Sequence, residues 1–289
     1  MIIPLHEDRL YALSHPYPVD GRVSWHAPSV RGFAPMNCYA LTERSHALLV
    51  ETGLAPHQAE LLDEMETVLG ERRASLLVLR QGEFDSVFNM LPIAHAIDLE
   101  MIYGQYETPL DWANFRTDIR LSGDGAITYR GVEVKRPGLE TKILSRFEVI
   151  PVGHGRGRLI DVFRPELLLL NTHWIYDAAT LTLFTSDAFT HVVQPSLEGP
   201  WVVTAENDTT TVEQMREHLL ETRYWWLPDA YVDDLQRSIA DIFERYEIET
   251  IAPSFGCILS GADVVQRHYE MLAGIIDDVG QHRPVEVTT

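Results

Sequence analysis

Residues 75–89 read SLLVLRQGEFDSVFN, and the fold is decided by how this stretch is read. The run from Ser75 to Leu79 is apolar without alternation. A strand with one wet face would alternate, so this pattern predicts a strand covered on both faces. Upstream, Leu61, Leu62, Met65, Val68 and Leu69 recur at three-to-four spacing between Pro56 and Gly70, which predicts a helix that ends at the glycine. Further upstream, NCYALTERSHALLVET (37–52) has two short apolar runs around the polar turn Thr42 to Ser45, a hairpin signal.

Downstream, regularity weakens between Tyr103 and Pro137 into pieces such as SGDGAITYRGVEV (122–134), which predicts a hairpin within an insertion or lid over 103–145. Four strands are then expected, at FEVIPV (147–152), RLIDVF (158–163), ELLLLNT (166–172) and TLTLFTS (180–186). The remainder reads as helices over 211–221, 229–246 and 263–276, with a short strand at 250–252. No internal repeat or flexible linker divides the 289 residues, so one α/β domain over 1–289 is expected.

Composition narrows the function. A formal net charge of -20 repels phosphate backbones and anionic lipid, which argues against nucleic acid and membrane as partners. Two distant cysteines, Cys38 and Cys257, form neither a disulfide framework nor a zinc ribbon. The N-terminus has no signal-peptide pattern, and no run reaches the ~20 apolar residues that cross a bilayer, so a soluble, cytoplasmic protein is expected.

Four segments, in order, resemble the metal-loop signposts of the metallo-β-lactamase superfamily, in the form of the diiron domain of flavodiiron proteins. Asn37-Cys-Tyr-Ala-Leu with Glu51-Thr-Gly is similar to the N-x-Y-L-I hairpin and the D-T-G strand end. Leu79 to Asn89 matches the loop H-x-E-x-D-H-x-G-N. Thr172-His-Trp-Ile-Tyr-Asp177 with Leu183-Phe-Thr-Ser-Asp-Ala-Phe189 is similar to the H-W-P-D and L-F-S-x-D-A-F pair. Ile251-Ala-Pro-Ser-Phe-Gly256 stands where the family has I-A-P-S-H-G. The resemblance runs from about residue 37 to residue 275 and implies an α/β, metallo-β-lactamase-like αββα sandwich.

Carried over position by position, it retains Glu83, Asp85, His173 and Asp187 as metal ligands, with Asp187 at the bridging position. Glu83, where hydrolytic members commonly have His, points to the diiron, redox branch. Gln81, Ser86 and Phe255 replace three imidazoles. A Gln carbonyl is a weak ligand, a Ser hydroxyl weaker, and Phe cannot coordinate. One site would keep Glu83, His173 and Asp187 with Gln81 as a fourth donor, whereas the other would keep only Asp85 and the shared Asp187. The resemblance therefore implies at most one metal ion, iron before zinc or manganese. The plain reading of Glu83, Asp85, His173 and Asp187 is polar residues satisfied by loop backbone, hydrogen bonds and mutual pairing; against it, three converging carboxylates would repel one another without a cation, which favours one being bound. Phe255 reads as an apolar plug in place of a ligand, the alternative being that it shapes an apolar substrate pocket beside one metal.

His191, four residues after Asp187, is a candidate substitute ligand or proton donor, and Asp85 a candidate base; the plain reading of a lone His is a hydrogen-bonded structural residue. The same plain reading holds for His95, and His154 resembles a family turn. Trp174, Tyr176, Trp225 and Trp226 could line a pocket or a dimer contact, with core packing the simpler role.

Two functions compete. The first is a metal-dependent oxidoreductase acting on dioxygen, nitric oxide or a small organic substrate. The resemblance would place a flavodoxin domain next; none is expected here, so no bound flavin is expected and a separate redox partner would supply electrons. The second is a non-catalytic pseudoenzyme serving as partner subunit or binding module. A metallo-hydrolase with Asp85 as base ranks third, for want of the missing imidazoles. A homodimer is implied by the resemblance alone.

Overall fold

The computed structural model describes residues 1–106, 119–121, 127–129, 132–133, 140–153, 157–167, 169 and 171–281. The chain groups into two compact units, one of Met1–His15, Met36–Arg164 and Leu170–Thr180, the other of Pro16–Pro35, Pro165–Leu169 and Leu181–Thr289.

The first unit holds, wholly or mostly, strands β1 (Ile2–His6), β2 (Leu10–Val19), β3 (Gly32–Glu43) and β4 (His46–Val50), helix α1 (Gln58–Leu69), strand β5 (Arg73–Leu77), helices α2 (Phe84–Val87) and α3 (Met90–Ala96), and strand β6 (Leu99–Gly104). Short strands β7 (Ile119–Leu121), β8 (Ile127–Tyr129) and β9 (Val132–Glu133) follow, then β10 (Glu140–Ile143), β11 (Phe147–Pro151), β12 (Leu159–Phe163) and β13 (Trp174–Asp177). One sheet runs β1-β2-β3-β4-β5-β6-β10, and β11-β12-β13 pair side by side. The unbroken apolar run makes β5, parallel to both β4 and β6 and buried from Ala74 to Leu77. The α1 stripe of Leu61, Met65 and Leu69 joins the same apolar cluster as Ala74, Leu76 and Ile102. The 37–52 hairpin is β3 and β4, its turn closed by Glu43↔His46 with Arg44 in the left-handed region.

The second unit holds β14 (Thr182–Ser186), β15 (Val202–Val203), α4 (Val212–Leu220), α5 (Asp233–Arg245), β16 (Thr250–Pro253), β17 (Ile258–Ser260) and α6 (Ala262–Gln281). Its strands run β14-β16-β17-β15, with β14 parallel to β16 and β17 antiparallel to it. The capping box of Thr211 and Gln214 starts α4, and both α4 and α5 pack on α6.

Three sequence readings change. The strand expected at 166–172 is absent among the described residues of that stretch, which form bends, and Leu167 is buried without it. A leucine run reports burial, and burial needs no ladder. β1 and β2 went unread because Pro4, Pro16 and Pro18 punctuate them, and proline argues against a strand in sequence reasoning. The hairpin expected within 103–145 is the three-stranded antiparallel sheet β7-β8-β9, and the rest of that insertion, like His154, lies largely outside the described residues.

Candidate functional site

In the first unit, β5 leads into the turn that carries Gln81, Glu83 and Asp85, and α2 begins directly after Glu83. Glu83 is half-buried and extended at the helix N-terminus, while Asp85 is 3% exposed. Asp85 is not open toward a cation: Arg80, its own side chain 1% exposed, ion-pairs with it. Gln81 is equally engaged. Its Oε1 accepts the backbone N–H groups of Gln105 at 2.8 Å and Tyr106 at 3.0 Å, occupying both carbonyl lone pairs.

His173 is positioned by its backbone N–H donating to Leu79 O at 3.0 Å. Its Nε2 lies 3.1 Å from the carbonyl of Ser145, and its Nδ1 3.4 Å from the amide nitrogen of Gln105. The carbonyl can only accept, so Nε2 carries the proton and the Nδ1 lone pair faces the Gln105 N–H. A metal-bound imidazole also commonly donates one N–H to a carbonyl, but its other nitrogen then holds the metal, where this one meets an amide. Burial pushes the His173 imidazole down to about 4, so it is neutral at physiological pH.

Glu51, at the end of β4 in the left-handed region (φ 69°), is 1% exposed and accepts the Leu79 N–H at 3.0 Å. Burial raises its acid to about 7, against the opposing pull of the Arg80 charge.

In the second unit, Asp187 follows β14 and is 2% exposed. Ser186 (φ 55°) and Phe189 (φ 62°) lie either side of it in the left-handed region, backbone strain of the kind that aims a loop. Arg223 places Nη1 3.5 Å from Asp187 Oδ1. Phe255 is fully buried and packs at 5.7 Å between ring centroids against Trp25 and at 6.0 Å against His26. The next residue must be glycine: Gly256 has φ 81°, and a Cβ there would stand 2.7 Å from the Thr190 carbonyl oxygen. His191 bonds through Nε2 to His268 Nδ1 at 2.9 Å. Trp174 and Tyr176 are buried on β13, whereas Trp225 is 67% exposed.

Among the described residues, no three His, Cys, Asp or Glu side chains form a group able to hold a metal ion. The donor chemistry agrees, because Asp85, Gln81 and His173 are each committed to a protein partner. Sequence reasoning missed the two arginines. Arg80 sits inside the quoted loop, and its signal was a permanent cation five residues before a buried carboxylate; Arg223 is distant in sequence from Asp187 and gave none.

No family model and no curated protein matches the chain. Solved structures do match it. A rubredoxin oxygen:oxidoreductase from the anaerobe Desulfovibrio gigas superposes with a TM-score of 0.65 at 13% identity, covering 98% of this chain and 63% of its own. A metallo-β-lactamase from Pontibacter korlensis superposes with a TM-score of 0.55 at 12% identity, covering 96% of this chain and 99% of its own. This is a metallo-β-lactamase fold. It resembles the flavodiiron cores, among them a metal-soaked flavodiiron core from Synechocystis with a TM-score of 0.61, 13% identity, and coverage of 94% of this chain and 60% of its own. The expected αββα class holds, and the chain spans a little under two thirds of the rubredoxin oxygen:oxidoreductase. No helix among the described residues is long and apolar enough to cross a membrane.

Proposed function

We propose that this chain is a metal-independent, non-catalytic member of the metallo-β-lactamase fold that serves as a binding module or partner subunit. The buried Arg80–Asp85 pair carries the reading. A guanidinium cannot lose its proton in a protein, so Asp85 is neutralised permanently and without metal. A divalent ion sharing that carboxylate would meet a repulsion on the order of 4 kcal/mol per unit charge at ~4 Å. Arg223 beside Asp187 supports the same reading in the second unit. In each unit a carboxylate that the flavodiiron resemblance makes a metal ligand has a guanidinium for its cation.

Metal analysis tests this. Protein expressed with added iron, zinc and manganese and purified without chelator is expected to hold far less than one equivalent of any metal, and EDTA should leave its melting temperature unchanged. Stoichiometric metal that disappears in an Asp187→Ala variant would overturn the proposal. It would restore the reading as a mononuclear oxidoreductase that takes electrons from a separate donor.

A further inference from the structure

The second unit contains a cavity of ≈ 290 Å³, at the small end of the roughly 300–1,000 Å³ range of ligand pockets, so it suits a small molecule. Its wall includes His191 and His218, 8% and 7% exposed, whose rings lie 6.2 Å apart. Burial holds these two imidazoles and that of His268 neutral, with His218 down to about 3. Their tautomers can then be read from their partners. Asp208 Oδ2 lies 3.0 Å from His268 Nε2, and a carboxylate accepts, so His268 carries its proton there and its Nδ1 is a lone pair. That lone pair, 2.9 Å from His191 Nε2, fixes the His191 proton on Nε2 and leaves its Nδ1 an acceptor. The Thr190 hydroxyl gives its proton to Asp187 O at 3.0 Å and therefore accepts from His218 Nε2 at 2.9 Å. His218 Nδ1 is then an acceptor too.

The fixed charges around the cavity cancel. Asp208 ion-pairs with Arg267 through Oδ2, and its Oδ1 accepts the Thr210 N–H at 3.0 Å. Glu217 accepts the Ser29 hydroxyl on Oε1, and Arg31 in the same wall offsets its charge. Arg31 Nη1 donates to the carbonyls of Pro28 at 2.6 Å and Val30 at 2.8 Å, which leaves Nη2 as a donor. Gln214 Oε1 accepts the Thr211 N–H at 2.9 Å, which leaves the Gln214 amide N–H groups as further donors. The wall thus presents acceptors and donors together with no surplus of either charge. An ammonium group would leave the donors unmet and a carboxylate would leave the imidazole acceptors unmet, whereas hydroxyl groups both donate and accept.

We propose that this cavity binds a small uncharged polyol, whose hydroxyl groups donate to Nδ1 of His191 and of His218 and accept from Arg31 and Gln214. The site is independent of whether the Asp85 and Asp187 loops hold metal. Two measurements test it. In long-range ¹H–¹⁵N NMR of the unmodified chain, His191 and His218 should both be protonated on Nε2, and their Nδ1 resonances should shift as glycerol is added; a proton on either Nδ1, or resonances that glycerol leaves in place, would overturn the proposal. In the same titration near neutral pH, glycerol should bind at least about tenfold more tightly than 3-amino-1,2-propanediol or glycerate, its cationic and anionic counterparts. A His218→Gln variant, which can still donate to the Thr190 hydroxyl but lacks the acceptor at Nδ1, should lose about tenfold of the glycerol affinity. Equal affinity for the three probes, preference for either charged one, or undiminished glycerol binding in the variant would each refute the proposal.

Discussion

Replacing Glu51 by Gln should change how stability depends on pH. The side chain is 1% exposed, and burial raises its acid from 4.5 to about 7. A carboxyl whose folded value is raised stabilises the fold fully below its unfolded value, near pH 4.5. The contribution erodes as the unfolded chain ionises and is gone above pH 7. The rise corresponds to about 3 kcal/mol, or roughly 6 °C or more in melting temperature for a chain of this size. Glutamine keeps the shape and the acceptor for the Leu79 N–H, and it never ionises. Wild type and Glu51→Gln should therefore be nearly equal in urea unfolding at pH 4.5, with the variant ahead by about 3 kcal/mol at pH 8.5. Parallel stability profiles across that range would show that Glu51 does not titrate as its burial requires.

Other expectations follow from the same geometry. Arg80→Met leaves Asp85 a buried lone carboxylate and should cost about 3–5 kcal/mol in urea unfolding, most of it recovered in the Arg80→Met, Asp85→Leu double variant; a silent single variant would remove the basis of the proposed function. Gly256→Ala forces a Cβ toward the Thr190 carbonyl at positive φ and should lower stability by about 1–3 kcal/mol, so an unchanged melting temperature would contradict the close approach. Cys38 and Cys257 are buried and free, and burial pushes the Cys257 thiol up to about 12. Ellman's reagent at pH 8 should therefore find no thiol in the native chain and two after denaturation, whereas rapid native labelling would show that the interior opens.

The sequence by itself determined those parts of the fold that rest on local periodicity. The unbroken apolar run made β5, the three-to-four spacing made α1, and the polar turn between two apolar runs made the β3–β4 hairpin. Four loop segments in a fixed order were enough to indicate the metallo-β-lactamase fold that the solved structures share. Substitutions such as Phe255 for an expected His could also be read directly, since an aromatic ring has no lone pair to offer a metal.

What each retained polar residue does was decided only by tertiary structure, because a hydrogen-bond partner is set by packing and carries no sequence period. Asp85 kept its place in the motif, yet folding set a guanidinium against it. His173 kept its place too, with both ring nitrogens turned to protein partners. His191 looked like a lone residue beside Asp187. Folding brought His218 within 6.2 Å of its ring, and His268, far along the chain on α6, within hydrogen-bonding distance.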